Sequence, residues 1–220
     1  MTARLLPIFP LQQVVLFPKV RCPLHIFEPR YRQMTEQALA GDARIGMVTV
    51  RPGHAGGMAG DPPIFSVGCE GRIVESARLP DGRYDILLLG ERRFRIADEP
   101  ARPAGRLYRC ARVDPLEDAF DPTDRSRVAA LRARTLELVG QLVARASRGE
   151  SRFEPGRFGG ADDATLVNTL CSVLDLEPAE KQALLEEGEV AGRFARLAGC
   201  LEFRLAELAG GLPPAPRPVH

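Results

Sequence analysis

Cys22 and His25 are the nearest this chain comes to a reactive pair, three residues apart in "RCPLHIF". A thiol beside an imidazole can work as nucleophile and base, or give a metal two of its ligands. On an extended strand, residues of opposite parity point to opposite faces, so this spacing parts the thiol from the ring. His54 lies in a glycine-rich run and His220 is the last residue, neither beside a group of matching chemistry. A histidine-based active site is therefore not expected, nor is a metal or other cofactor. Cys22, Cys69, Cys110, Cys171 and Cys200 are scattered without a C-x-x-C pair. They read as reduced, mostly buried small hydrophobes, Cys22 included.

Three short runs are candidates for binding instead. Glu28-Pro29-Arg30-Tyr31 sets Arg30 and Tyr31 where a peptide could meet them. A helix start explains the same order, with Glu28 as cap, Pro29 at the first position and Tyr31 packing inward. Glu91-Arg92-Arg93-Phe94-Arg95 places basic residues around one aromatic, a pattern that nucleic-acid sites use. Phe94 and Ile96 share a strand face, so the arginines are expected outside, on a solvated surface. Val14, Val15, Leu16 and Phe17 are too apolar for an ordinary loop, and either pack under the strands or offer a groove. The expected partner contacts are thus Val14, Leu16, Phe17, Arg30, Tyr31, Arg92 and Arg93. Asp162-Asp163 and Glu186-Glu187 read as solvated charge.

Composition narrows the partners. The 220 residues are 45% hydrophobic and 27% charged, which suits one large domain or two small ones. Thirty basic and 29 acidic side chains leave a formal net charge of +1, too little to steer the chain onto nucleic acid or an anionic membrane. Only Lys19 and Lys181 are lysines, and the arginines are spread along the whole length. No stretch approaches the ~20 apolar residues that cross a bilayer. The opening "MTARLLPIFPLQQ" is broken by Pro7 and Pro10 and does not read as a signal peptide, so a cytoplasmic location is expected.

The elements that must position these residues fall into two halves. Leu5 to Phe9, Cys22 to Phe27, Arg44 to Val50, Phe65 to Glu75, Tyr84 to Ile96 and Leu107 to Pro115 read as strands. Pro29 opens a helix that Gly41 stops. Leu79-Pro80-Asp81-Gly82 predicts a tight hairpin. Leu87, Leu88 and Leu89 run without alternation, which calls for cover on both faces. Short strands with glycine and proline corners suggest a closed or nearly closed barrel, interrupted by one exposed loop from Arg51 to Pro63. The second half reads as helical. Asp121-Pro122 starts a helix carrying Val128, Leu131, Leu138 and Leu142. After a break from Gly149 to Gly160, Asp163 caps a helix with Leu166, Leu170 and Leu174. Glu177-Pro178 starts another that Gly188 ends. The last helix carries Val190, Phe194, Leu197, Leu201, Leu205 and Leu208 at steps of three and four. This stripe reads as the bundle's own core.

"FPLQQVVLFP", "PLHIFEPRYRQM", "VGCEGRIVESARLPDGRYDILLLGERRFRI" and "LDLEPAEKQALLE" resemble, in this order, successive segments of the amino-terminal, substrate-binding domain of Lon proteases. The second segment is most similar to the short bacterial proteins that carry this domain alone. The resemblance runs from about Leu5 to about Leu208. It implies an α+β fold: a PUA-like β-barrel, or pseudobarrel, of about six strands with one short helix, then a helical bundle. The expected domains are 1–118 for the barrel, 119–210 for the bundle and 211–220 for a flexible proline-rich tail.

Lon proteases add an ATPase and a proteolytic module, and neither signature is present. No G-x-x-x-x-G-K-[ST] loop occurs, and neither Lys19 nor Lys181 sits in the family's serine–lysine protease pattern. What the resemblance implies is the amino-terminal role alone: a non-catalytic protein that binds unfolded or extended polypeptide, or a protein partner, in protein quality control. Binding is expected through apolar contacts in a groove between the halves, with backbone pairing to a free strand edge. The alternative is an RNA- or nucleotide-binding PUA-like barrel using Arg92 and Arg93.

Overall fold

A computed structural model describes residues 4–53, 60–118, 124–147, 154, 156 and 160–209. Its strands are β1 (Arg4–Leu11), β2 (Arg21–Ile26), β3 (Arg44–Thr49), β4 (Val67–Arg78), β5 (Tyr84–Asp98) and β6 (Arg109–Leu116). Its helices are α1 (Pro29–Ala40), α2 (Arg125–Ala146), α3 (Asp163–Val173), α4 (Pro178–Glu186) and α5 (Val190–Ala209). Residues 54–59 of the glycine-rich loop, His54 among them, the Asp121-Pro122 start, most of the break before α3 and the tail from residue 210, with His220, lie outside the described residues.

The strands form one mixed sheet in the order β2-β5-β4-β3-β1-β6, and β6 also pairs with the far half of β5. β1 and β3 are parallel; every other pairing is antiparallel. This is a curled α+β sheet rather than a barrel closed by all six strands. β2 lies outside the curl, along the first half of β5. The length of β5 permits this, because its start and end serve different neighbours. The β4–β5 hairpin turns as expected, with Gly82 at φ 81° and its N–H donating to Leu79 at 2.9 Å.

The chain divides into two compact units, Met1–Glu117 with Asn168–Gly188, and Asp118–Val167 with Glu189–His220. The division departs from the expected boundary at 118 because the second half of α3 and all of α4 belong with the sheet. Buried polar side chains explain this. Gln182 accepts from the Thr49 hydroxyl at 2.7 Å and donates to the Val67 carbonyl at 3.0 Å, while Asn168 donates to the Pro18 carbonyl at 3.1 Å. Unpaired, each of these groups would carry a desolvation cost.

In the sheet unit, Leu6, Ile8, Val48, Phe94, Ala111 and Val113 form a core. Gly46 and Gly68 make room for the Phe94 ring, where an added Cβ would come within 2.9 and 2.6 Å of it. Leu88 is buried, whereas Leu87 and Leu89 are half-buried, so cover on the second face is partial. Cys69, Cys110 and Cys171 are buried, but Cys22 is only half-buried, a correction to its expected core placement that follows from its seat on the outlying β2.

In the other unit, α2 packs on α5. Val190, Phe194, Leu197, Leu201 and Leu205 are buried, but Leu208 is exposed as α5 runs out. Arg193 is wholly buried, held by both oxygens of Asp118 at 2.9 and 3.3 Å. Asp162, not Asp163, caps α3, accepting from the Thr165 N–H at 2.9 Å. Glu177 opens α4 with a reciprocal capping box to Glu180, and Glu187, ahead of Gly188, ends that helix.

Candidate functional site

The sequence-predicted contacts fall in three separate places. Val14 is exposed, but Leu16 and Phe17 are buried, so the 14–17 run packs under the strands and offers no groove of its own. The reason is a facing pair of glycines. Gly71 and Gly90 are partners across β4 and β5, and Leu16 and the Phe17 backbone lie where their side chains would stand. Gly90 secures the segment from both sides, accepting from Lys19 N–H at 2.7 Å and donating to the Val20 carbonyl at 2.9 Å.

At the start of α1, Glu28 occupies the cap position without making a side-chain capping bond. Its carboxylate accepts from Arg30 Nε at 2.9 Å instead. Arg30 is half-buried, lies over the Tyr31 ring at 4.5 Å and donates to the Gly60 carbonyl at 3.1 Å. Tyr31 is buried against Phe9, ring centres 4.3 Å apart, and among the described residues its hydroxyl has no hydrogen-bond partner. Burial pushes its pKa up to about 12, with Arg30 pulling down and Glu28 pushing up.

On β5 the two arginines part company. Arg92 is exposed, with Nε 3.3 Å from the buried Glu70. Arg93 is buried, which corrects the expectation of a solvated basic face. It donates to the carbonyls of Leu185 at 3.2 Å, Gly188 at 3.4 Å and Glu117 at 3.1 Å. Glu70 also receives Arg4 and Arg44, each at 3.1 Å, and Glu91 receives Arg44 and Arg72, each at 2.8 Å. Burial works to raise the Glu91 pKa, but the bonds from Arg44 and Arg72 outweigh it and hold it below the usual range. The arginines on this face are thus spent on carboxylates.

His25 and Cys22 do lie on opposite sides. The exposed ring meets Asp85 at 2.6 Å across the β2–β5 pair, and the thiol weakly contacts the Pro23 carbonyl. Among the described residues, no three His, Cys, Asp or Glu side chains come together in a way that could hold a metal.

A concave apolar surface lies elsewhere in the sheet unit. A hollow of about 390 Å3 opens between the end of β3, Phe65 and the start of α4. Phe65 and Pro178 are half-buried within it, and Val50 forms its floor. Its rim is polar, from Gln12, Arg51 and Glu177. Three backbone N–H groups around it are paired internally: Val50 N–H bonds to Leu11, Arg51 N–H to Pro63 and Phe65 N–H to Thr49, all at 2.9 Å. Arg51 lies over the Phe65 ring at 5.1 Å and donates from Nε to Ile64 at 3.1 Å. What this surface offers a ligand is therefore shape and apolar contact, with charges at the edge.

A family profile described as "ATP-dependent protease La (LON) substrate-binding domain" matches residues 5–202. The chain belongs to this family. Relatives of this Lon substrate-binding-domain protein include the Lon protease of Parabacteroides distasonis, 28% identical over 94% of this chain and 25% of that protein. The Lon protease of Azorhizobium caulinodans is 26% identical over 94% of this chain and 23% of its own length. The chain thus spans about a quarter of the relatives it matches. The fold is shared with a Lon N-terminal domain protein from Xanthomonas campestris, with a TM-score of 0.60 at 23% identity, covering 89% of this chain and 98% of that one. The N-terminal domain of a Mycobacterium avium complex Lon protease gives 0.67 at 20% identity, covering 90% and 98%.

Sequence reasoning did not single out Phe65, Pro178 or Thr49 in this Lon-type domain. Phe65 read as the first residue of a strand and Pro178 as a helix start. Pro178 does start α4, whereas Phe65 lies two residues ahead of β4, which begins at Val67, and local signals do not say that two such positions face one hollow.

Proposed function

We propose that this Lon-type domain is a non-catalytic recognition protein that takes extended or unfolded polypeptide into the hollow between Phe65 and the start of α4. The single observation that carries the reading is that hollow. It is concave and apolar, and the N–H groups of Val50, Arg51 and Phe65 beside it are already paired, so it suits a side chain from a passing segment rather than a reacting group. The family match, over residues 5–202, is to a substrate-binding domain, which supports recognition. Among the described residues, no helix is long and apolar enough to cross a membrane. A cytoplasmic role in protein quality control accords with the relatives being Lon proteases.

Fluorescence anisotropy with labelled, unstructured peptides tests this. Peptides bearing one large apolar side chain should bind the full chain, and Phe65→Ser should weaken them about tenfold, the loss expected for about 1.4 kcal/mol of apolar contact. If such peptides bind no better than polar ones of equal length, the reading fails.

A further inference from the structure

A second hollow, of about 320 Å3, opens between Asp61 and the stretch from Glu99 to Cys110. Three guanidinium groups line it, Arg102, Arg106 and Arg109, against two carboxylates, Asp61 and Glu99. Both carboxylates are already engaged. Arg102 donates to the two oxygens of Asp61 at 2.6 and 2.7 Å. Arg109 grips Glu99 through two bonds of 2.8 and 2.6 Å and donates a third to the Pro62 carbonyl at 2.8 Å.

Arg106 is left without an acid among the described residues. Its side chain contacts the Cys110 thiol at 3.5 Å and lies 5.6 Å from the centre of the Tyr108 ring. Burial pushes the Cys110 pKa up, against the pull of Arg106, so the thiol supplies no counter-charge. A half-buried guanidinium facing a thiol and a ring keeps most of its five donors for a ligand, and its planar fork matches a carboxylate. The lining carries one net positive charge. That balance suits a monoanion and disfavours a dianion such as phosphate.

We propose that this hollow binds a peptide carboxylate, either a chain terminus or an acidic side chain, on Arg106. The kind of ligand rests on the polypeptide-recognition reading; the site does not. Arginine Nε–Hε NMR signals of the full chain, titrated with small probes, test it. N-acetyl-leucine presents a terminal carboxylate, N-acetyl-glutamic acid α-amide a side-chain carboxylate, N-acetyl-leucine amide neither, and inorganic phosphate a competing anion.

The Arg106 signal should shift saturably with one or both carboxylates and not with the neutral amide. The stronger of the two names the source. Read on the Arg102 and Arg109 signals, which line the same hollow, Arg106→Gln should abolish the response, and Arg106→Lys should weaken it about tenfold by losing the bidentate fork. Arg102→Gln, which frees Asp61 to repel an anion, should weaken it too and serves as a second variant should R106Q not fold. An equal response to the neutral amide, an undiminished response in folded R106Q, or tighter binding of phosphate than of either carboxylate overturns the proposal. The probes are too short to depend on the hollow beside Phe65. Failure here with peptide binding at Phe65 intact therefore removes the carboxylate site alone.

Discussion

Gly90 lies so close beneath Phe17 that an added Cβ would stand 2.1 Å from the Phe17 carbonyl oxygen. The neighbour is backbone, tied to Gly90 by bonds through Lys19 and Val20, so it cannot swing aside. Gly90→Ala should destabilise the protein by about 3 kcal/mol, towards the upper end of overpacking costs. Urea unfolding followed by circular dichroism checks this. A loss under 1 kcal/mol would mean that the 14–20 segment lifts off easily.

Gln182 serves the Thr49 hydroxyl and the Val67 carbonyl while 1% exposed. Replacing it by Leu keeps the volume but strands both partners away from water. A loss of about 2–3 kcal/mol is expected in the same unfolding measurement. Gln141→Leu, on an exposed turn of α2, should change stability by less than about 0.5 kcal/mol.

Arg92 and Arg93 are adjacent but should behave oppositely. Arg93→Met removes donors from three carbonyls and should cost about 3 kcal/mol. Arg92→Gln removes one exposed arginine from the buried Glu70, which keeps Arg4 and Arg44, so the loss should stay under about 1 kcal/mol. Retention on single-stranded RNA that falls with salt and with Arg92→Glu would instead restore the nucleic-acid reading.

Tyr31 links stability to alkaline pH. Its folded pKa of about 12 lies above the ordinary tyrosine value of about 10. Stability from this group is therefore fully present below about pH 10 and is lost as pH rises towards about 12. Tyr31→Phe should remove that part of the alkaline loss. Near neutrality it should be neutral or stabilising by about 1 kcal/mol, because the hydroxyl it deletes is buried without a partner among the described residues. Denaturant melts from neutral to alkaline pH, with tyrosinate absorbance as a second readout, would show a steeper alkaline loss in Y31F if the sign were wrong.

The six strands and the helices at Pro29, Pro178 and Val190 were legible because periodicity and start signals are local properties. The cover over Gly71 and Gly90 was half legible, since four apolar residues between prolines announce packing but not the surface they pack on. Arg93 was misread for a physical reason. Strand parity says which face a side chain takes, and a face judged solvated turned out to carry the carbonyls of Leu185 and Gly188. Those partners lie some 90 residues onward, separations of 92 and 95, and no pattern near Arg93 encodes them. The Phe65 hollow and the arginine-lined hollow were missed likewise, because both join residues whose neighbours in sequence do not mention each other.

The sheet unit is assembled from two stretches of polypeptide with most of the other unit's sequence between them. On the ribosome, then, the strands emerge first and must wait. Until residues 168–188 follow, Pro18, Thr49 and Arg93 lack the groups that later satisfy them. A nascent chain released at Leu116 would hold every strand of the sheet and still lack its clasp, which makes completion of this fold a late event in synthesis.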